Sequence, residues 1–266
     1  MLTENIDYTK CAILVMSCDK NISLLKIFFD FFNKNWGDCP FEIFVGLEEK
    51  REFFFNSTTI LSQNKSFCGR LLEYINIISK SHVLIILDDF ILEERVDNDK
   101  IRTLLGIMQR DNSVATLTCT WVDSKKDYEY MPGIMKSTYN ANYIVNLQVG
   151  FWNSEILTLL LKNGENAWQA ELFGSIRARK YRNYKFLRLE SNEEAPYKYN
   201  NGWLIVKGAW NGNEIKRLKL QKYVNEFLDG KKILYENFGK TKKFDSAKLV
   251  FSILIRKILS HINLYF

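Results

Sequence analysis

Between residues 10 and 120 the chain alternates two kinds of hydrophobic pattern. Short apolar runs at residues 11–16, 41–45, 58–61, 83–87 and 114–119 read as strands. The unbroken run at 83–87 fits a strand buried on both faces. Between the runs, apolar residues recur every three or four positions, which is the helical period. One such set is Ile22, Leu25, Phe28, Phe29 and Phe32, with Asn21 or Ser23 as its cap. A second, within 65–79, is Phe67, Leu71, Tyr74, Ile75 and Ile78; a third, Ile101, Leu104, Leu105 and Met108, follows a capping Asp97. Strands separated by helices rather than by tight turns predict a largely parallel sheet with helices on its faces.

Beyond residue 120 the pattern loosens. Residues 121–135, rich in aromatic and charged side chains, read as a loop or lid. Residues 143–149, 186–189 and 203–206 suggest strands, and 154–161 a short helix. Longer helices are expected at 166–182 and 214–228. On the first of these, Trp168, Leu172 and Ile176 share one face, while Glu171, Ser175 and Arg179 share another. The organisation this predicts is one α/β domain over residues 1–230, in halves 1–120 and 121–230, followed by a tail at 231–266.

Composition narrows the class. With 266 residues, 47% hydrophobic and 14% aromatic, there is ample material for a core, and three prolines and thirteen glycines argue against long disordered segments. The polar start and short first apolar run lead us to expect no signal peptide, and no spanning helix is expected because no run of eighteen uncharged apolar residues occurs. Five cysteines without a close pair suit a reducing compartment. The two histidines, His82 and His261, stand apart from any cysteine cluster, which argues against zinc and against a Cys–His or Ser–His triad. Neither the dinucleotide fingerprint nor the P-loop is present, so helix amides or side chains would have to hold any phosphate.

Charge is placed unevenly. Residues 231–266 hold eight Lys and Arg against Glu236 and Asp245, so the tail carries the whole net charge of +6. The body sums to zero, and no nucleic-acid partner is expected of it.

One stretch carries candidate chemistry. Residues 82–92 read HVLIILDDFIL, an apolar run that ends in Asp88 and Asp89. In open α/β sheets ligands bind at the carboxyl ends of strands. Two carboxylates so close repel unless a cation or hydrogen-bond donors compensate. Mg²⁺ commonly takes one or two carboxylates together with substrate phosphates. A solvated acidic loop has the same spacing, so the spacing alone leaves both readings open.

Further residues stand with this pair: Ser17-Cys18-Asp19 after the first strand, Leu87-Asp88-Asp89-Phe90, Trp168-Gln169-Ala170-Glu171 with Gly174-Ser175-Ile176-Arg177-Ala178, and Lys207-Gly208-Ala209-Trp210. With them, over roughly residues 10–210, the chain resembles the bacterial glycosyltransferases of the A-type fold found in capsule and O-antigen biosynthesis. The resemblance implies a Rossmann-like, mixed and mostly parallel sheet flanked by helices, and a nucleotide-diphosphate-sugar donor. It makes residues 1–120 the donor half and 121–230 the acceptor half. It places Ser17 and Asp19 beside the nucleotide. Asp88 and Asp89 take the place of the family's D-x-D acids, with Asp89 on a Mn²⁺ or Mg²⁺ ion. The motif here is D-D, and adjacent side chains on an extended strand point to opposite sides, so one acid would take the metal and the other a sugar hydroxyl. Glu171 matches the base of inverting members. Lys207, Arg177 and Arg179 are candidate cations for the leaving diphosphate.

Other readings of the same residues stay open. Glu171 could be a solvated helix residue pairing with Arg177 or Arg179, Lys207 could end a strand, and the tryptophans could be core or cleft wall. The acceptor implied is a glycan or glycolipid, and a homo-oligomer is compatible with the sequence. Residues 248–266 would form a helix with a broad apolar face and a stripe of Lys248, Ser252, Arg256, Ser260 and Asn263. That pattern suits a helix lying in an anionic membrane surface, holding a cytoplasmic enzyme there. A helix docked on the protein's own core is the alternative. A sugar nucleotidyltransferase would show a Gly-rich loop where SCDKN stands, and a non-catalytic scaffold would need no metal at all.

Overall fold

The structure, a computed structural model, describes residues 6–121, 127–141, 143–199, 204–206, 208–226 and 230–235. The chain divides into two compact units, residues 1–201 and 202–266. The division expected at residue 230 falls beside residues 227–229, outside the described set, as does the tail helix expected at 248–266.

The first unit opens with β1 (Cys11–Met16), α1 (Ile22–Trp36), β2 (Glu42–Leu47), β3 (Ser57–Leu61), α2 (Phe67–Ile78), β4 (His82–Leu87), α3 (Asn98–Arg110) and β5 (Val114–Trp121). It continues with β6 (Asp127–Met131), β7 (Ile134–Ser137), β8 (Gly150–Asn153), α4 (Ser154–Leu160), α5 (Ala167–Ala178) and β9 (Lys185–Leu189). Nine strands form one sheet in the order β3-β2-β1-β4-β8-β5-β9-β7-β6. β1, β2, β3 and β4 are mutually parallel, β8 runs antiparallel between β4 and β5, and β9 is parallel to β5. The fold is therefore the expected Rossmann-like α/β class, with a mixed sheet flanked by helices.

Why these residues make these elements is mostly plain. β1 is buried throughout, and of β4 only Leu87 is not fully buried, as unbroken apolar runs require at the centre of a sheet. α2 lies close on β2 because Gly46 leaves room. A Cβ there would stand 2.4 Å from the Tyr74 ring, and the Tyr74 hydroxyl donates to the Leu47 carbonyl. Asp97 caps α3 as expected, accepting from the Asp99 and Lys100 amides.

The strand order places the site. From β1 the chain winds outward to β2 and β3, then crosses to the other side of β1 to lay down β4. Where the winding reverses, the carboxyl ends of two neighbouring strands feed loops in opposite directions and leave a crevice. Here that crevice lies between β1 and β4.

Several expectations need correction. Residues 121–135 are not simply a loop: β5 runs to Trp121, and β6 and β7 pair as a hairpin that joins the sheet through β9. Its turn is Pro132-Gly133, with Gly133 at φ 78°, where proline presets the first turn residue and glycine supplies the positive φ. Residues 143–149 are not a strand. Tyr143 sits at φ 55°, and the Gln148 amide donates to the Asn146 side chain in a local turn. The helix expected over 166–182 ends at Ala178.

The second unit has a three-stranded sheet of β10 (Ile205–Val206), β11 (Ala209–Asn211) and β12 (Ile233–Leu234), in that order. The helix expected at 214–228 is instead two short ones, α6 (Gly212–Arg217) and α7 (Gln221–Glu226). Lys219 at φ 56° turns the chain between them, and the Leu220 amide donates back to the Ile215 carbonyl. Among the described residues no helix is long and apolar enough to cross a membrane.

Candidate functional site

The crevice is built from the residues just past β1 and β4. Beyond the last ladder pair, the Asp88 amide still donates to the Met16 carbonyl at 3.2 Å, and the Ser17 amide to the Gly46 carbonyl at 3.2 Å. This lacing brings the Ser17 and Asp88 side chains together. Ser17 Oγ donates to Asp88 Oδ2 at 2.5 Å, and Asn21 Nδ2 donates to the same oxygen at 3.0 Å. Asn21 occupies the position expected to cap α1, yet its side chain makes no capping bond. Its amide serves the carboxylate instead. Asp88 is buried, so these donors replace the water it has lost.

The two acids do not lie on an extended strand. Leu87 to Phe90 forms a turn, with the Phe90 amide on the Leu87 carbonyl at 3.1 Å. Burial, and then the charge of Asp88, push the half-buried Asp89 carboxyl up to about 7. Residues 195–199 run back along this turn as a strap. Tyr197 Oη donates to the Phe90 carbonyl at 3.1 Å, the Glu93 amide donates to the Lys198 carbonyl at 2.9 Å, and Leu92 bridges Tyr199. The Tyr199 ring packs on Phe90 with centroids 4.4 Å apart. Burial, and then the charge of Asp89, push the Tyr199 phenol up to about 12.

Glu171 stands on the first turns of α5, whose start is fixed by a capping box. The Asn166 side chain accepts from the Gln169 amide at 3.0 Å, and the Gln169 side chain accepts from the Asn166 amide at 2.9 Å. Glu171 Oε1 accepts from the Leu147 amide at 2.8 Å. Burial pushes its carboxyl above the ordinary value, and that one backbone bond works against the shift. The next residue, Gln148, is hydrogen-bonded through its side chain to the Tyr199 hydroxyl. A set of contacts thus runs from Phe90, the residue after Asp89, through Tyr199, Gln148 and Leu147 to Glu171.

The remaining sequence candidates fall elsewhere. The Asp19 carboxylate accepts from the Glu48, Glu49 and Lys50 amides at 3.1 to 3.4 Å, so it holds the loop after β2. The Asp19 amide in turn donates to Glu48, and Glu48 pairs with Arg70 at 3.2 Å. Arg177 is not available as a diphosphate cation: its guanidinium forks onto Glu165 at 2.7 and 2.6 Å, and its Nε donates to the Leu160 carbonyl. That buried pairing also removes Arg177 as a partner for Glu171. Arg179 lies at the far end of α5, about 12 Å along the axis from Glu171 at 1.5 Å per residue. Lys207 lies outside the described residues. Trp168 is 69% exposed, which corrects its reading as core.

Sequence reasoning missed Tyr199, Gln148 and Arg70, and misjudged Asn21. Asn21 had a signal: an amide four residues beyond Ser17, on the loop that leaves a central strand, can serve a ligand site as well as a helix. Glu48 had another, since an acid at the carboxyl end of β2 stands on the ligand-binding edge of the sheet.

Among the described residues no cluster of three or more His, Cys, Asp or Glu could hold a metal by itself. The donor set still fits a cation that brings phosphate oxygens with it, because such a cation needs only one or two carboxylates. The Asp89 carboxyl, raised first by burial and then by the charge of Asp88, is one that such a cation would relieve.

No protein-family model matches the chain, and no curated protein matches it. Solved structures resemble it at low identity and with TM-scores below 0.5. S. aureus TarS is 11% identical, with TM-score 0.47, over 72% of this chain and 37% of that one. TarS 1-349 in complex with UDP is 13% identical, with TM-score 0.47, over 70% and 59%. A cytidylyltransferase from Leptospira borgpetersenii is 10% identical, with TM-score 0.45, over 94% and 96%. The chain spans less than two thirds of either TarS structure, and these likenesses concern the fold alone.

Proposed function

We propose that this chain transfers a sugar from a nucleotide-diphosphate-sugar donor to a hydroxyl of a glycan acceptor. The observation that supports the reading is the chain of contacts that links the Asp88-Asp89-Phe90 turn to Glu171. Asp88 and Asp89 stand at the reversal between β1 and β4, and Glu171 stands on α5 at the other end of the contacts through Leu147, Gln148 and Tyr199. Glycosyl transfer needs both kinds of centre. The departing nucleoside diphosphate gathers negative charge, and the acceptor hydroxyl is too weak an acid to lose its proton unaided.

In this reading Ser17 and Asn21 orient Asp88 toward the ribose side of the donor. Asp19 borders the nucleotide by holding the loop that carries Glu48. Asp89 would hold a Mg²⁺ or Mn²⁺ ion, whose chemistry is to stabilise charge on the diphosphate. As the acceptor oxygen bonds to the anomeric carbon and the bond to the diphosphate breaks, Glu171 takes the hydroxyl proton. The acceptor is lipid-linked in this proposal, and the support is the basic amphipathic sequence of residues 248–266, which suits the cytoplasmic membrane surface.

Thermal-shift measurements with nucleoside diphosphates and Mn²⁺ or Mg²⁺, followed by assay of diphosphate release from nucleotide sugars, test the reading. Stabilisation by a nucleoside diphosphate with the metal, and acceptor-dependent release, are expected. Pyrophosphate release from a nucleoside triphosphate and a sugar phosphate would instead make the chain a nucleotidyltransferase. Absence of both would leave a binding module.

A further inference from the structure

We infer that Tyr199 is a positioning residue for Glu171, acting through Gln148; the inference rests on the reading of Glu171 as the base. Residues 143–149, the segment that meets Glu171, belong to no ladder, and three of their amides are satisfied by side chains. The Val145 amide donates to Ser175 Oγ at 3.1 Å, the Leu147 amide to Glu171 Oε1 at 2.8 Å, and the Gln148 amide to the Asn146 side chain at 3.2 Å. Two of these bonds face α5 and the third is local. On the side toward the acid pair, the tie is Gln148 Oε1 to the Tyr199 hydroxyl.

Tyr199 is a rigid post for that tie. Its backbone bridges Leu92, the neighbouring Lys198 carbonyl accepts from the Glu93 amide, and its ring packs on Phe90. A phenol carries one O–H. Here that hydrogen goes to Gln148 Oε1. The Asp88-Asp89-Phe90 turn and the Leu147 amide are thereby tied through a single hydroxyl. The acid that binds the donor and the amide that aims the base move together.

Tyr199→Phe removes the hydroxyl and keeps the ring on Phe90; Gln148→Leu removes the other end. Misplacement of a catalytic group by about 1 Å can cost about 100-fold in rate, so a loosened one should cost about 10-fold. Each variant should lower kcat for transfer by about that factor, while affinity for the nucleoside diphosphate that stabilises the wild-type protein stays within about twofold. Because both act on one bond, the double variant should be no slower than the slower single one. Hydrogen exchange gives a readout independent of turnover: the Leu147 and Gln148 amides should exchange about 10-fold faster in either variant, with residues 11–16 unchanged. Wild-type kcat in Tyr199→Phe, additive losses, or unchanged exchange at Leu147 would each overturn the proposal. A loss of diphosphate affinity equal to the loss of kcat would also overturn it, since Tyr199 would then serve the donor side. If the wild-type protein transfers no sugar from any nucleotide sugar, the transferase reading falls, and the exchange result still decides whether Tyr199 holds the segment.

Discussion

The two acid centres are built in opposite ways. Asp88 sits where two buried, mutually parallel strands end, and its donors Ser17 and Asn21 come from the first residues beyond β1. Glu171 sits on a helix, and its backbone donor, the Leu147 amide, comes from a segment that joins no ladder. The first centre inherits its geometry from the sheet, and the second depends on side-chain ties. In the proposed function the difference suits the two tasks. A charged diphosphate needs fixed partners, because stabilising charge without reorganisation is what accelerates its departure. On that reading an acceptor must arrive and leave, and the base is aimed at it by the side-chain ties on its segment.

The sharpest way to break this comparison is at Glu171. Glu171→Gln keeps an acceptor oxygen for the Leu147 amide but cannot take a proton. It should lower kcat by about 10² to 10⁴-fold with little change in donor KM. Full kcat in this variant, measured as diphosphate release with acceptor present, would move the base elsewhere. Asp89→Asn and Asp88→Asn should each lower kcat/KM for the donor by about 10² to 10³-fold. If acceptor KM moves instead of the donor terms, the two centres have been assigned the wrong way round.

How far this was legible in the sequence depends on the range of each interaction. β1 and β4 were legible because burial on both faces demands unbroken apolar runs, and Asp88 and Asp89 were visible as the place where one run stops. Glu171 was visible only through resemblance. Asn21 to Asp88 spans 67 residues and Tyr199 to Gln148 spans 51, and no local period reports on such pairings. The false strand at 143–149 shows how pattern can mislead. Val145, Leu147 and Val149 alternate and are all buried, as in a strand, but the amides of Val145 and Leu147 go to α5 rather than to a neighbouring strand. The hairpin of β6 and β7 was missed for the converse reason. Asp127 and Glu129 made it look like a loop, although Pro132-Gly133 was a readable turn.

A smaller effect is expected at Asn21. Asn21→Ala deletes a hydrogen-bond donor to a buried carboxylate oxygen, and unmet hydrogen bonding of this kind costs about 1–3 kcal/mol. Thermal melting should show that loss. Donor KM should rise while acceptor KM stays near the wild-type value. Wild-type stability would mean that water replaces the amide, and that the donor centre is less closed than its burial implies.

A further effect is a pH dependence of stability at Asp89. Its ordinary value is 3.8, and in the folded protein it lies near 7, so the native state holds that proton more tightly than the unfolded chain does. Below about pH 4 both states are protonated and the carboxyl costs nothing. As pH rises from about 4 to 7 the unfolded chain loses its proton while the native state keeps it, so stability falls across that window. Above pH 7 both states are charged and the penalty is complete. Asp89→Asn has no such group. In metal-free buffer its melting temperature should therefore gain on that of the wild-type protein between pH 4 and pH 8, by a few degrees. Adding Mg²⁺ or Mn²⁺ with a nucleoside diphosphate should narrow the gap at pH 8, because only the wild-type protein has the carboxylate that the cation would relieve. A gap that does not change with pH would show that Asp88 and the surrounding burial do not hold Asp89 high, and the proposed place of a cation at Asp89 would lose its electrostatic support.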